Sequence, residues 1–151
     1  MINYNYVKTF SRNDIPLYMN LFKILAHLKR SYPDFARWYF TGFIPGLVNR
    51  QRQIIYAKNA KEQIIAVSLL KKTPQEDKIC CLWIKKEYRR RGIASQLMYK
   101  SLKALDNPKP KVTVSEENYP EFEALFKKYG FILTCIRDDE YIAGKREFHF
   151  N

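Results

Sequence analysis

The stretch ICCLWIKKEYRRRGIASQLMYKSLKAL, residues 79–105, determines how the rest of the chain is interpreted. Its first six residues, Ile79 to Ile84, are all apolar, which is typical of a buried strand. A turn rich in positive charge follows, and beyond Gly92 the apolar residues recur at helical spacing on one face. The stretch therefore predicts a strand, a basic turn and an amphipathic helix. The first turn of a helix presents unpaired N–H groups and a partial positive charge, both of which suit a phosphate group.

The basic turn reads Arg89-Arg90-Arg91-Gly92-Ile93-Ala94, preceded by the aromatic Tyr88. It resembles the R/Q-x-x-G-x-G/A pyrophosphate loop of the GNAT superfamily of acetyl-CoA-dependent N-acetyltransferases. The second signature of that family is a strand, an Asn, a helix and a Gly-Phe pair. Those features are present here as Lys111 to Val114, Asn118, the helix around Phe122 to Tyr129, and Gly130-Phe131. Together the two signatures cover roughly half of the chain.

Length and composition indicate one globular domain spanning residues 1–151, with 46% hydrophobic and 28% charged residues. No apolar run approaches the ~20 residues that a membrane span requires, and the N-terminus has no apolar signal core. We therefore expect a cytoplasmic protein with no membrane partner. The three cysteines lack C-x-x-C spacing and only two histidines are present, so we expect reduced cysteines and no metal site.

Apolar periodicity and turn residues predict the element order β-α-α-β-β-β-α-β-α-β-β. The breaks at Gly42, Pro45 and Gly46 are expected to end the second helix, and Tyr141 to Phe150 is expected to form the last strand. The fold class is α+β. The resemblance implies an acyl-CoA N-acyltransferase fold, in which a mixed, mostly antiparallel sheet of about seven strands carries about four helices on both faces.

The resemblance also implies where a cofactor would bind. The fourth strand would hold the pantetheine arm of acetyl-CoA through Leu82, Trp83 and Ile84. The basic turn would wrap the pyrophosphate, mainly through its main-chain N–H groups, with Asn118 close to the pantetheine. The implied cofactor-binding residues are Leu82, Trp83, Ile84, Arg89, Arg90, Arg91, Gly92, Ile93, Ala94 and Asn118. For Asn118 the residues allow a second role, as the N-cap of the following helix.

The catalytic residues are not assigned by the sequence. Many family members carry a general-acid Tyr at the position of Phe126, and phenylalanine cannot donate a proton. Tyr129, one turn further along the helix, is the substitute candidate, although its position better suits a packed core aromatic with its hydroxyl at the edge. Glu116, with Glu117 beside it, is the nearest carboxylate to serve as general base, and a chain of waters is the alternative. His149 is expected to face away from Phe148 and Phe150.

The function implied by the resemblance is acetyl transfer to a primary amine by direct attack on the thioester. Residues 1–75 carry 12 Lys and Arg against three Asp and Glu, which indicates an anionic acceptor or partner, or a basic surface that serves solubility alone. The acidic turn Asp138-Asp139-Glu140 would instead favour a cationic amine. Acetylation of aminoacyl-tRNA, as in toxin-type members, is one alternative. A non-catalytic CoA- or RNA-binding module is another, and a homodimer is left open.

Overall fold

The computed structural model describes residues 1–151, which form one seven-stranded sheet in the order β1-β2-β3-β4-β5-β7-β6. All neighbouring strands are antiparallel except β4 and β5, which are parallel. The strands are β1 (Asn3–Val7), β2 (Arg52–Lys58), β3 (Ile64–Lys72), β4 (Asp77–Ile84), β5 (Lys111–Ser115), β6 (Leu133–Asp138) and β7 (Arg146–Phe150). The expected mixed, mostly antiparallel sheet of seven strands is confirmed.

The helices are α1 (Ile15–Leu25), α2 (Phe35–Trp38), α3 (Ile44–Gly46), α4 (Ile93–Leu105) and α5 (Tyr119–Lys128). A π-helical turn, Tyr39–Phe43, joins α2 to α3 without interruption. The prediction that Gly42 and Pro45 break this helix was therefore wrong, whereas the helix does end at the predicted Gly46. A π-turn already departs from the i to i+4 hydrogen-bond pattern, so it accommodates a proline that cannot donate. None of the helices combines the length and the apolar content needed to cross a membrane.

Helices cover both faces of the sheet, as expected. On one face α1, α2 and the π-turn pack against β2 and β3 around fully buried residues such as Leu21, Tyr39 and Phe43. On the other face α4 and α5 pack around Leu97, Met98 and Phe126, together with side chains from β3, β4, β5 and β7. The apolar stripe read from the sequence of α4 is the stripe that this second core buries.

The two parallel strands at the centre of the sheet separate almost at once. Only two residue pairs join β4 to β5, Lys78 with Lys111 and Ile79 with Val112. The register of β4 against β3 also shifts between Leu69 and Leu70, which leaves Cys80 as an extra residue. Because a bulge of this kind redirects side chains, Cys80 and Cys81 both pack toward the α1 core rather than toward opposite faces.

The last strand is shorter than predicted, because the chain from Asp139 to Lys145 turns before pairing resumes. Gly144 adopts a left-handed φ of 79°, and its N–H donates to Oδ1 of Asp139 at 2.5 Å. β7 then begins at Arg146 and lies between β5 and the edge strand β6. This turn brings Glu140 and Tyr141 back over the sheet.

Candidate active site

The separation of β4 from β5 leaves a gap in the middle of the sheet. Apolar side chains of both strands and of helices α4 and α5 line its floor, among them Met98 and Phe126. Leu82, Trp83 and Ile84 pair with β3 on one side, and their other side borders the gap. Backbone groups of β4 are therefore open to an extended ligand in the place that a neighbouring strand would take.

The basic turn ends at the N-terminus of α4. Gly92 is the N-cap, with φ 79°, and Arg90 is also left-handed, with φ 61°. No atom lies within 4 Å of the position that a Cβ on Gly92 would occupy, whereas the next residue, Ile93, is buried. The first-turn N–H groups, from Ile93, Ala94 and Ser95, have no intrahelical acceptors, so the structure combines free donors with open space beside them.

The three arginines of the turn differ in their contacts. Nε of Arg89 donates to the carbonyl of Ile84 at 3.1 Å, and its guanidinium lies 3.5 Å from Glu121 on α5. Arg91 lies over the ring of Tyr88 at 5.3 Å. Arg90 is exposed. Arg89 therefore holds the turn against the end of β4, while the other two present charge to solvent.

Asn118 lies at the N-cap position of α5, but its side chain makes no capping hydrogen bond. Its backbone N–H donates to the carbonyl of Ser115 at 3.0 Å, which fixes the turn between β5 and α5. The side chain was considered either as a ligand contact or as the N-cap of α5, and the structure does not show the capping role. The amide remains free to contact a ligand.

The two catalytic candidates from the sequence are both engaged in other contacts. The hydroxyl of Tyr129 donates to the carbonyl of Ser95 at 2.8 Å, which ties the end of α5 to the first turn of α4. Glu116 is exposed and accepts two hydrogen bonds from Arg146, at 2.6 and 2.8 Å. The hydrogen bond from this guanidinium lowers the pKa of Glu116, which makes the carboxylate a weaker base. Its neighbour Glu117 pairs with Lys145.

Replacing Tyr129 with Phe tests whether this hydroxyl is structural. We expect a loss of about 0.5–1.5 kcal/mol in the free energy of unfolding, because one hydrogen bond disappears. The turnover number should stay within about threefold, since the hydroxyl proton is already committed to Ser95. Urea unfolding and a thiol-release assay measure the two quantities. A hundredfold loss of turnover with unchanged stability would instead identify Tyr129 as the general acid.

A buried carboxylate that the sequence reading missed lies on β7. Glu147 is only 4% exposed, and the hydroxyl of Tyr32 donates to its Oε2 at 2.8 Å. Burial raises the pKa of Glu147, although hydrogen bonds from Thr113 and Tyr32 oppose the shift. It pairs in register with Ser115 and lines an open cavity of about 430 Å³ with Ser115 and Tyr141. In the sequence, the only signal for Glu147 was the alternation of side chains along β7, which places Glu147 on the same face as His149.

Polar and aromatic groups surround this carboxylate. Nε2 of His149 lies 2.6 Å from Oε2 of Glu140, and the ring of Tyr141 stands edge-on to that of Tyr32 at 4.9 Å. His149 thus points away from its aromatic neighbours on β7, as predicted from alternation. Of the acidic turn, Glu140 lines the neighbouring cavity, whereas Asp138 and Asp139 are exposed.

That neighbouring cavity, of about 360 Å³, lies on the α1 face of the sheet beside the gap. Tyr32, Phe35 and Trp38 line it, together with Cys80 of β4 and Thr113 of β5. Two further aromatics of the same helical segment do not reach this wall, because Tyr39 is fully buried in the core and Phe40 packs on Phe22 at 4.6 Å. Burial raises the pKa of Cys81 to about 12, so this thiol remains protonated at neutral pH.

Comparison with known proteins supports a family assignment. A family model for the acetyltransferase (GNAT) domain matches residues 46–144, about two-thirds of the chain. No curated protein sequence gives a significant match.

Several solved structures share the fold. A GNAT-family acetyltransferase from Desulfovibrio desulfuricans aligns with a TM-score of 0.74 at 10% identity, covering 99% of this chain and 97% of that one. The IAA acetyltransferase of Bacillus cereus gives 0.70 at 16%, with coverage of 99% and 97%. A protein described as streptothricin acetyltransferase, from Bacillus anthracis and in complex with acetyl coenzyme A, gives 0.59 at 19%, with coverage of 68% and 63%.

At these low sequence identities the structural matches establish the fold, and the family model establishes which family the chain belongs to. The strand that separates from its neighbour, the basic turn and the left-handed glycine before α4 all fall within the matched residues. This chain belongs to the GNAT acetyltransferase family.

Proposed function

We propose that this protein transfers an acetyl group from acetyl-CoA to a primary amine, by direct attack of the amine on the thioester. The observation that carries the proposal is the gap between β4 and β5, which opens after only two residue pairs. The cavity in the gap and the cavity on the α1 face share Cys80 and Thr113 as lining residues, and β4 runs from there to the start of the basic turn. An extended cofactor and an amine acceptor could therefore meet in the gap from opposite ends.

The residues along this path fit acetyl-CoA. The free N–H groups at the start of α4, with Arg90 and Arg91 beside them, suit the pyrophosphate. The backbone of Leu82, Trp83 and Ile84 can pair with the amides of the pantetheine arm, and Asn118 offers a free side-chain amide nearby. Bound acetyl-CoA would supply the acetyl group as a thioester.

Acetyl transfer also requires that the amine lose its proton. We assign this role to Glu147, because it is buried, its pKa is raised, and it lies beside β5 with hydrogen bonds to Tyr32 and Thr113, two residues that line the acceptor cavity. A carboxylate whose pKa is raised holds a proton more tightly, which makes it a better base at neutral pH. Tyr32 and Thr113 orient the carboxylate by hydrogen bonding, and the amine proton would pass to its Oε1 or Oε2. As the new C–N bond forms, the C–S bond of the thioester would break, and coenzyme A would leave as a thiolate that takes a proton from water.

Gly92→Glu tests the cofactor site. The substitution places a carboxylate beside the free N–H groups of α4, where it would repel a pyrophosphate. Wild-type protein should show a rise in melting temperature with acetyl-CoA at about 1 mM, because a ligand that binds only the folded state stabilises it. We expect the variant to lose this rise.

Gly144→Glu is the matched control. Gly144 has the same φ of 79° and, like Gly92, no atom within 4 Å of the point where a Cβ would lie, so both variants carry the same backbone strain. The control should keep the response to acetyl-CoA. The absence of any shift in the wild type would overturn the proposed function.

A further inference from the structure

We propose that the acceptor is a small amine that also carries an anionic group, a carboxylate or a phosphate, and that a row of cations across the sheet binds this anion. The inference rests on the proposed function, since it identifies which amine the α1-face cavity would take. Four residues form the row, one from each of four neighbouring strands: Arg52, Lys71, Lys78 and Lys111.

Strand register places these cations side by side. Arg52 is directly opposite Lys71, Lys71 is opposite Lys78, and Lys78 is opposite Lys111. Directly paired residues project from the same face of a sheet, and like charges in such pairs are destabilising. Three consecutive unfavourable pairs therefore call for an anion that compensates them.

The protein itself supplies only part of the negative charge that would compensate the row. Glu76, in the turn between β3 and β4, accepts a hydrogen bond from Lys71 at 2.6 Å and lies 3.8 Å from Lys111. These contacts lower the pKa of Glu76, so it stays ionised. Neither Arg52 nor Lys78 forms an ion pair. Four positive charges thus share one carboxylate.

Arg52 carries a second, independent sign of a missing partner. Its Nε is buried and makes no hydrogen bond, while one terminal nitrogen donates to the carbonyl of Gln51 at 3.0 Å. A buried guanidinium N–H without an acceptor is costly, and such groups are normally satisfied. Gly46 leaves room for this side chain, because a Cβ there would lie 2.6 Å from Cγ of Arg52.

The row lies at the end of the cavity where β4 and β5 are still paired, away from the gap. Arg52, Lys71 and Lys78 all line this cavity, and β4 and β5 separate one residue beyond Lys78. Cys80 and Thr113, where the amine would meet the thioester, are two residues further along their strands, roughly 7 Å at about 3.3 Å per residue. An amine and an anion separated by a few bonds, as in an amino acid or an amino phosphate, fit this spacing.

The opposite end of the cavity suits the amine. Glu140 and Tyr141 line it, and Tyr32 and Thr113 connect it to Glu147. Asp34 contributes one exposed carboxylate at the rim. The cavity thus has a cationic end and an acidic end, with aromatic walls from Trp38 and Tyr32 between them. This polarity matches a zwitterion better than a simple amine.

The experiment uses probes that carry the anion but no amine. Melting temperatures are measured at low ionic strength with phenylacetate, phenyl phosphate and benzyl alcohol, for the wild type, Arg52→Gln, Lys78→Gln and Lys23→Gln. Lys23 is exposed on α1 and serves as the charge-matched control. We expect the melting temperature to rise with at least one of the two anions and not with the alcohol. A response to phenylacetate would indicate a carboxylate site, and a response to phenyl phosphate would indicate a phosphate site.

Both cavity variants should lose this rise while Lys23→Gln keeps it. Removing a cation from the row also relieves repulsion, so the unliganded melting temperature of Lys78→Gln should be unchanged or higher. No anion response in the wild type, or an undiminished response in both cavity variants, overturns the inference. The response to acetyl-CoA is measured in parallel, and its absence defeats the proposed function separately.

Kinetics give a second measure. The ratio of kcat/KM for L-phenylalanine over 2-phenylethylamine, and for O-phosphoethanolamine over ethanolamine, should be about 10 to 100 in the favoured pair. It should approach one in Arg52→Gln and Lys78→Gln. Ratios near one in the wild type count against the inference.

Discussion

Glu147→Gln is expected to lower kcat by about two to four orders of magnitude, the contribution that a positioned general base usually makes. Glutamine keeps the size of the side chain and can still accept the hydrogen bond from Tyr32, so the cavity should retain its shape. Binding of acetyl-CoA, followed by thermal shift, should not change. A thiol-release assay with an accepted amine measures the rate.

Glu116→Gln is the matched control for this prediction. It makes the same chemical change on an exposed carboxylate whose pKa is lowered by Arg146. Its rate should stay within about threefold of wild type. If Glu116→Gln is the slow variant and Glu147→Gln is not, the base is the residue suggested by sequence, and the assignment to Glu147 is wrong.

The pH dependence follows from the direction of the shift. Burial raises the pKa of Glu147 above its usual value of 4.5, and the base is active only when ionised. In the wild type kcat/KM should therefore fall with decreasing pH through this raised pKa.

A carboxyl with a raised pKa binds its proton more tightly in the folded state, so stability falls as pH rises through that pKa. Glu147→Gln should be more stable than wild type at neutral pH, and the difference should vanish below about pH 4.

The largest effect on stability is expected from Phe126→Ala. This ring is 3% exposed and packs against Phe150 at 4.8 Å, Phe131 at 5.4 Å and Phe122 at 5.7 Å. Truncating a buried phenylalanine costs about 3–5 kcal/mol, since both the transfer free energy and the packing are lost. For a chain of this length the melting temperature should fall by roughly 10 °C.

Phe40→Ala provides the comparison for Phe126. Phe40 is 38% exposed on the opposite helical layer, and we expect its truncation to cost about 1 kcal/mol. Differential scanning calorimetry on both variants measures the difference. Equal costs would mean that the α5 core is less tightly packed than the ring distances indicate.

The sequence was sufficient for the elements whose signals are local. The bounds of α4 follow from an apolar stripe that begins directly after Gly92 and ends at Leu105, before residues that stop a helix. The antiparallel arrangement of β2, β3 and β4 follows from short turns between apolar runs. The basic turn and Asn118 were recognised because family motifs are contiguous in the chain.

What the sequence did not predict depends on contacts between distant residues. Glu147 appears as an ordinary charged residue in a short strand, and only Tyr32, 115 residues away, makes it a buried hydrogen-bonded group. The row of cations requires the register of three strand pairs, because its members lie far apart in sequence. The helix through Gly42 and Pro45 persists because tertiary packing of Tyr39 and Phe43 outweighs local propensity.

The two residue pairs between β4 and β5 also bear on cooperativity. Strands β1 to β4 and strands β5 to β7 pair extensively within each group but share only this short seam. The two groups are therefore natural candidates for separate foldons, connected mainly by the packing of α4 and α5 across them. A ligand lying in the gap would take the place of a strand between the two groups. Binding of the ligand would then couple the opening of one group to the opening of the other, and the sheet would open as one unit.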